Sequence, residues 1–377
     1  MNEFTRASSR ASSKTEGGAE VFINDHIKDL VDAINDLQKF DLDHVAPLPE
    51  IVVVGDQSAA KSSLICAFTA MKMPRSVGCC TKVPANIKVS PSDTWSCTVS
   101  LHQKYKYQSP SRPIEQKDVT SRNPFPGWVE GDLVEKKFKE ISDKSEFEEV
   151  MRWAQIALLN PTEHYKYFIP GSGTRHEKKD TTEDVGFSPN IISVEISGPG
   201  LPVLSFFDLP GIILNSPKPE TEYLVKVFEN LAIKYIKRKN AIIVYCLTMS
   251  VDPVLSRTGK IIRDHKAEDR TIGILTKPDT LGAKHDDFEK ILMGYEHQLG
   301  HGYFVTKQPG PDSNLSGPDY HHLARQEENL FFEEDPLWRG DWVGFQPRCG
   351  TFRIQKYLSQ QLAVQISKRF VPKTPLA

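Results

Sequence analysis

Gly55-Asp-Gln-Ser-Ala-Ala-Lys-Ser-Ser63 sets a lysine and two hydroxyls at the end of a run of small residues, directly after the β-branched stretch Ile51-Val-Val-Val54. Those types in that order suit phosphate. Consecutive backbone N–H groups ahead of a helix point into one cavity, where unpaired donors and the helix dipole favour anionic oxygens. Gly55, Asp56, Ser58, Ala59, Ala60, Lys61, Ser62 and Ser63 are the expected contacts, with Lys61 reaching the β- and γ-phosphates and the Ser62 hydroxyl ligating Mg2+. One position departs from the pattern G-x-x-x-x-G-K-[ST], because Ala60 stands where the inner glycine is expected. A Cβ there limits how closely backbone approaches phosphate, and a required φ > 0 adds a penalty of roughly 1 kcal/mol. An ordinary strand-turn-helix rich in small residues would read the same way, so downstream residues decide.

Asp208-Leu-Pro-Gly211 follows the apolar run 203–207. An aspartate at a strand's carboxyl end beside a phosphate loop can hold Mg2+ through water, and a glycine three residues on offers its N–H to the γ-phosphate. Thr81, near the end of the Gly- and Pro-punctuated connection 74–84, is the candidate to close the Mg2+ shell. Thr276-Lys-Pro-Asp279 follows a further apolar run, 271–275. The Asp279 carboxylate can accept from both N1–H and N2–H2 of guanine, donors that adenine does not present together, which implies GTP over ATP with the Lys277 stem beside the base. Each signature ends a strand, as ligand sites in open α/β sheets require.

The elements that must position these residues are legible in part. The chain has 377 residues, 39% hydrophobic and 25% charged, with a formal net charge of -2. That is enough for one large α/β domain or two ordinary ones, and it gives no case for bulk nucleic-acid binding. Six cysteines without C-x-x-C spacing read as reduced thiols of a cytosolic protein. Cys79-Cys80 and His321-His322 lack zinc-ligand spacing. No apolar run is long enough to span a bilayer. Residues 1–20 are expected to be disordered. Ile23, Ile27, Leu30, Ile34 and Leu37 mark an amphipathic helix within 21–46. Within 47–350, 86–90 and 97–101 read as a strand pair, and 191–196, 203–207, 241–248 and 271–275 as further strands. Residues 146–159, 223–238 and 259–266 read as helices, 105–132 as a polar connection and 171–184 as a charged surface loop. Ile354, Tyr357, Leu358, Leu362 and Ile366 give 351–377 a helix with an apolar stripe, then a tail.

Taken together, Gly55 to Ser63, Pro74-Arg-Ser with Cys80-Thr-Lys-Val-Pro84, Val194-Glu-Ile-Ser-Gly-Pro199, Leu204-Ser-Phe-Phe-Asp-Leu-Pro-Gly-Ile212 and Arg270-Thr-Ile-Gly-Ile-Leu-Thr-Lys-Pro-Asp279 resemble the dynamin superfamily, of fungal dynamin-like and Mx type. The resemblance covers about 21–370. It implies an α/β fold, a mainly parallel central sheet with helices on both faces, flanked by N- and C-terminal helices. It implies GTP as substrate and Mg2+ as cofactor, with Gln57 orienting the attacking water, Ser58 holding a monovalent cation (K+ or Na+), Thr81 acting on metal and water, and Gly211 on the γ-phosphate. Thr306 and Lys307 stand where the family caps the base. Pairing of two such domains across the nucleotide is implied, with Asp252 on a loop that reaches the partner, as is peripheral association with membranes or microtubules in the cytoplasm. The family continues into a helical stalk, whereas this sequence stops soon after the GTPase region, which reads as truncation. The two flanking helices then either pair with each other or pack on the domain's own core. Two functions stand against each other: a working GTPase, favoured by Gln57, Ser58, Lys61, Ser62, Thr81, Asp208, Gly211 and Asp279, and an inactive or weakly binding pseudo-GTPase fragment acting as an interaction module, favoured by Ala60 and the missing stalk.

Overall fold

The computed structural model describes residues 50–74, 81–172, 185–201, 203–216, 218–282, 285–310 and 320–370, without the side chains of 366–370. The expected tail and helix before residue 47, most of the loop 171–184 and the tail after 370 lie outside the described residues. Pro49–Leu362 form one compact unit.

Nine strands make one sheet: β1 (Glu50–Gly55), β2 (Ala85–Pro91), β3 (Ser96–Tyr107), β4 (Trp128–Ile141), β5 (Ile191–Gly198), β6 (Leu204–Asp208), β7 (Ala241–Thr248), β8 (Thr271–Thr276) and β9 (Tyr303–Thr306). Their order is β4-β3-β5-β2-β6-β1-β7-β8-β9. From β6 to β9 the pairings are all parallel, with Val53 opposite Asp208, Gly55 opposite Cys246, Thr248 opposite Thr276, and Thr276 opposite Thr306. Five carboxyl ends therefore meet on one edge, and every signature residue but Thr81 sits there. β1 and β8 are buried along their whole length, and β7 in all but its last residue. Burial on both faces is why they read as unbroken apolar runs.

Helices α1 (Lys61–Thr69), α2 (Phe147–Leu159), α3 (Tyr223–Ile236), α4 (Arg257–Asp264), α5 (His285–Leu292), α6 (Tyr320–Glu334), α7 (Pro336–Arg339) and α8 (Thr351–Phe370) cover the sheet. Consecutive strand residues face opposite ways. Phe206 accordingly meets Phe68 of α1 at 6.1 Å, while Phe207 meets Tyr235 of α3 at 5.0 Å. Helices on both faces, as expected, follow from that alternation.

The sheet's other half differs from expectation. β2 and β3 are not a pair, because β5 lies between them, parallel to β2 and antiparallel to β3. β4 falls partly on the segment read as a polar connection. It is an edge strand, mostly exposed and rich in Lys and Glu, so it lacks an apolar alternation to read. Ile354, Leu358 and Leu362 of α8 are buried, Gln355 donates to Phe68 O at 3.4 Å, and Ser359 donates to Val203 O at 3.3 Å. The first turns of that helix thus pack on the unit's own core. Cys66, Cys97, Cys246 and Cys349 are buried free thiols, and burial pushes Cys246 up to about 12. Among the described residues no helix is long and apolar enough to cross a membrane.

Packing at the β8–β9 pair is tight enough to test. A Cβ on Gly273 would lie 2.1 Å from the Tyr303 ring, which cannot swing freely because its hydroxyl donates to His297 O at 2.7 Å. Gly273→Ala is expected to cost about 3 kcal/mol. Gly131→Ala, with nothing nearer than 3.9 Å, should change stability little. Urea unfolding midpoints of the two variants check this.

Candidate functional site

The phosphate loop turns through two left-handed residues, Ser58 at φ 65 and Ala60 at φ 59. The position read as needing glycine does need it, and an alanine occupies it at the strained angle. Lys277, after β8, adopts φ 56, so three of the six non-glycine residues with positive φ among those described fall on the predicted motifs. Strain of that kind persists only where neighbours hold it. Here the neighbours are identifiable: Gln57 N donates to Ile212 O at 2.8 Å, Ile212 N to Gly55 O at 3.2 Å, and Leu64 N to Ala60 O at 3.0 Å. The loop is thereby stitched to the Asp208–Gly211 turn. A Cβ on Gly211 would lie 3.0 Å from Lys61 Nζ and 3.1 Å from Gln57 Cα. Gly55 is as confined, since a Cβ there would meet Cys246 O at 2.7 Å.

Lys61 is buried, and its Nζ donates to Gly55 O at 2.9 Å and Asp56 O at 3.1 Å. It holds the mouth of the loop in the place from which it would reach phosphate. Ala59 is buried, Ser62 and Ser63 are half-buried, and Gln57 and Ser58 stand exposed on the crest. Ser62, Thr81 and Asp208 line one cavity of about 20 Å3 together with Met73, Met151 and Gln155. That volume suits one small ion or water. Asp208 is 1% exposed, and neither carboxylate oxygen has a hydrogen-bond partner. Burial pushes its pKa up to about 7, against the pull of the Lys61 ammonium. A buried carboxylate without a partner is costly and calls for a cation. Two hydroxyls and a carboxylate are the hard oxygen donors that Mg2+ takes.

On the base side, Thr276 Oγ1 donates to Ala59 O at 3.3 Å, joining the end of β8 to the phosphate loop. The turn Pro278–Thr280 closes through Thr280 Oγ1 donating to Lys277 O at 2.8 Å, and Asp279 is exposed on it. Thr306 and Lys307 lie at the carboxyl end of β9. Thr306 is fully buried, and its hydroxyl donates to Glu328 Oε1 at 2.6 Å. Lys307 N donates to the same oxygen at 3.1 Å, and its Nζ lies 5.7 Å from the Phe331 ring centre. Glu328, itself 1% exposed, also accepts from Arg325 at 2.6 Å and Thr351 N at 3.0 Å. These residues lock the end of β9 to α6 and α8, so the Thr306 side chain is committed to structure. Asp252 caps its own turn, accepting from Val254 N at 2.8 Å, with Val254 and Leu255 exposed beside it.

Asp56 gives a second surprise. Its carboxylate accepts from Thr258 N at 2.9 Å, Thr258 Oγ1 at 2.6 Å and Ser256 Oγ at 2.7 Å, at the start of α4. Ser256 just before an expected helix carries an N-cap signal, but its partner 200 residues away has none. A larger cavity, of about 340 Å3 between Tyr245, Gly259, Ile262, Leu299 and Tyr303, contains none of the motif residues.

Two outcomes follow from the strain and the burial. Ala60→Gly relieves the left-handed angle and is expected to stabilise the protein by about 0.5 kcal/mol, net of the glycine's added unfolded-state freedom, as read by the thermal midpoint. Asp208 has its folded pKa raised above the unfolded value, so its contribution is favourable at low pH and is lost as pH climbs toward about 7. In chelator, Asp208→Asn should therefore gain stability over the parent between pH 5 and pH 8, by roughly 2 kcal/mol across that range. A pH-independent difference in urea unfolding would contradict the buried-carboxylate assignment.

Comparison with known proteins bears on these motifs. A model of the dynamin family matches residues 51–278, which takes in the phosphate loop, Thr81, Asp208, Gly211 and Thr276. Interferon-induced GTP-binding protein Mx1 of Equus caballus is 27% identical over 350 residues, covering 91% of this chain and 44% of that protein. Its namesake in Bos taurus is 28% identical over 322 residues, 83% of this chain and 40% of that protein. Mx2 of Mus musculus is 26% identical over 318 residues. The chain spans less than half the length of these relatives. Because the family match extends from β1 to the turn after β8, over more than half of the chain, this protein belongs to the dynamin family.

Proposed function

We propose that this protein binds GTP with Mg2+ and hydrolyses it to GDP and phosphate. The observation that carries the reading is the unpartnered Asp208 carboxylate, buried in a small cavity with Ser62 and Thr81, directly beside a strained loop and Lys61. Such a cluster favours a cation, which would relieve the cost of burying the carboxylate. A bound Mg2+ would offset charge on the β- and γ-phosphates. Lys61 would exchange its two carbonyl acceptors for phosphate oxygens, and Gly211 would offer its N–H to the γ-phosphate. Gln57, exposed and stitched through its N–H to Ile212, would orient water, while Ser58 would hold K+ or Na+ against charge developing between the phosphates. Asp279 would read guanine. The GTP-binding named for the Mx relatives agrees with this substrate. Self-association across the nucleotide face, through the loop of Asp252, and a peripheral place on intracellular membranes or microtubules belong to the same reading.

A second reading, an inactive or weakly binding interaction module, is favoured by the geometry of Ala60. Its left-handed angle and its Cβ both act against close approach of phosphate. Fluorescent-GTP binding with Mg2+ separates the two. The parent is expected to bind GTP in preference to ATP and to turn it over faster in K+ than in cation-free buffer. Lys61→Ala should lower affinity ~100-fold or more by removing a charge-assisted contact. Binding by Ala60→Gly alone would establish the second reading, and unchanged binding in Lys61→Ala would remove the phosphate-loop assignment.

A further inference from the structure

A carboxylate directly after Gly55 is a physical problem for a phosphate site, since it adds like charge where a triphosphate should sit. The fold removes it by turning Asp56 the other way. One oxygen accepts both the N–H and the hydroxyl of Thr258, and the other accepts the Ser256 hydroxyl, at 2.6 to 2.9 Å. Ser256 in turn accepts from Gly259 N at 3.1 Å, so two side chains share the capping of one helix. Ser256 and Thr258 are buried. At the far end, a Cβ on Gly259 would lie 2.9 Å from the Tyr245 hydroxyl of β7, so the glycine lets the first turn of α4 pack close against the sheet.

The near end is the catalytic loop. Backbone pairing between β1 and β7 stops at Gly55, opposite Cys246. Beyond that residue the β7 side of the loop has no ladder, and the Asp56 carboxylate replaces it. Gln57, the next residue, is fixed on the opposite side by its N–H to Ile212 O, and Lys61 bonds the Asp56 carbonyl. Asp56 is thus the point where α4, the Gly211 turn and Lys61 are joined.

We propose that Asp56 is a positioning residue for GTP hydrolysis: by gripping the N-terminus of α4 through Ser256 and Thr258, it fixes the backbone that presents Gln57 and Ser58 to the phosphates. The proposal rests on the GTPase reading for its kinetic consequence, but not for its structural one. Asp56→Ala removes the whole grip, and Thr258→Val removes its Thr258 hydroxyl contact. Thr258→Val is nearly isosteric and retains the N–H, so it covers the case in which Asp56→Ala fails to fold. Asp56→Asn keeps the oxygen facing Thr258, and its amide can donate to Ser256.

The test combines two readouts on the full chain. In steady-state GTP hydrolysis, Asp56→Ala and Thr258→Val should lower kcat ~10-fold with fluorescent-GTP affinity held within about 3-fold, Asp56→Asn should recover most of the rate, and the double variant should be no worse than either single one. In nucleotide-free hydrogen exchange, the same variants should lose protection at residues 57–60 and 258–260 while β7 keeps its own. Loss of GTP affinity in step with kcat would make Asp56 a nucleotide contact and overturn the proposal. So would additive effects, no recovery with Asn, or unchanged exchange at 57–60. If the parent neither binds nor hydrolyses GTP, the GTPase reading falls, and the exchange comparison alone decides the grip.

Discussion

The backbone of Gly55–Gln57 lies against that of Gly211–Ile212, and the rest of the site depends on that contact. Two hydrogen bonds make it, and a glycine at 211 permits it, since any side chain there would displace Lys61 or Gln57. The contact brings the loop of Gln57 and Ser58 against the turn that follows Asp208. It also limits what β6 can carry at its end. Asp208 is driven into the sheet's edge with no donor to meet it, which in a ligand-free protein is a standing cost. On the proposed reading, a cation bound there would recover that cost.

How much of this was legible depends on range. The phosphate loop, the Asp208–Gly211 turn and Thr276–Asp279 were readable because each is a short stretch whose residue types carry the chemistry. The strands holding them were readable because burial on both faces leaves unbroken apolar runs in β1, β7 and β8. Ala60 is the sharpest case: the pattern called for glycine there, left open whether the position needs φ > 0, and the angle is 59. β4 was not readable, because a charged edge strand has one face in water and the other only half covered. Nor was the insertion of β5 between β2 and β3, since strand order is set by crossovers that no local pattern encodes.

Thr306 shows the same limit from another direction. Thr306 lies beside Thr276 at the ends of adjacent strands, so topology supports a place near the base. Its hydroxyl is nevertheless taken by Glu328 of α6, a residue whose burial could not be foreseen from a helix with a polar, charged sequence. A fully buried glutamate needs several donors, and Thr306, Lys307 N, Arg325 and Thr351 N supply them. Satisfying that carboxylate outweighs leaving one threonine free for a ligand. Asp56 follows the same rule: a carboxylate whose neighbours are phosphates or helix N–H groups goes to the donors.

These two carboxylates clarify the weight of the alanine. A left-handed Ala60 costs on the order of 1 kcal/mol, the size of a single ordinary hydrogen bond. Around it, Asp56 accepts three hydrogen bonds from α4, the Ile212 pairing adds two, and Thr276 reaches the carbonyl of Ala59. The loop's geometry is therefore over-determined by its surroundings and does not hinge on the residue at 60. What the alanine alters is local, a Cβ at the face that phosphate would approach. Its effect belongs to ligand affinity, a difference between two states of the same loop, and far less to whether the loop forms.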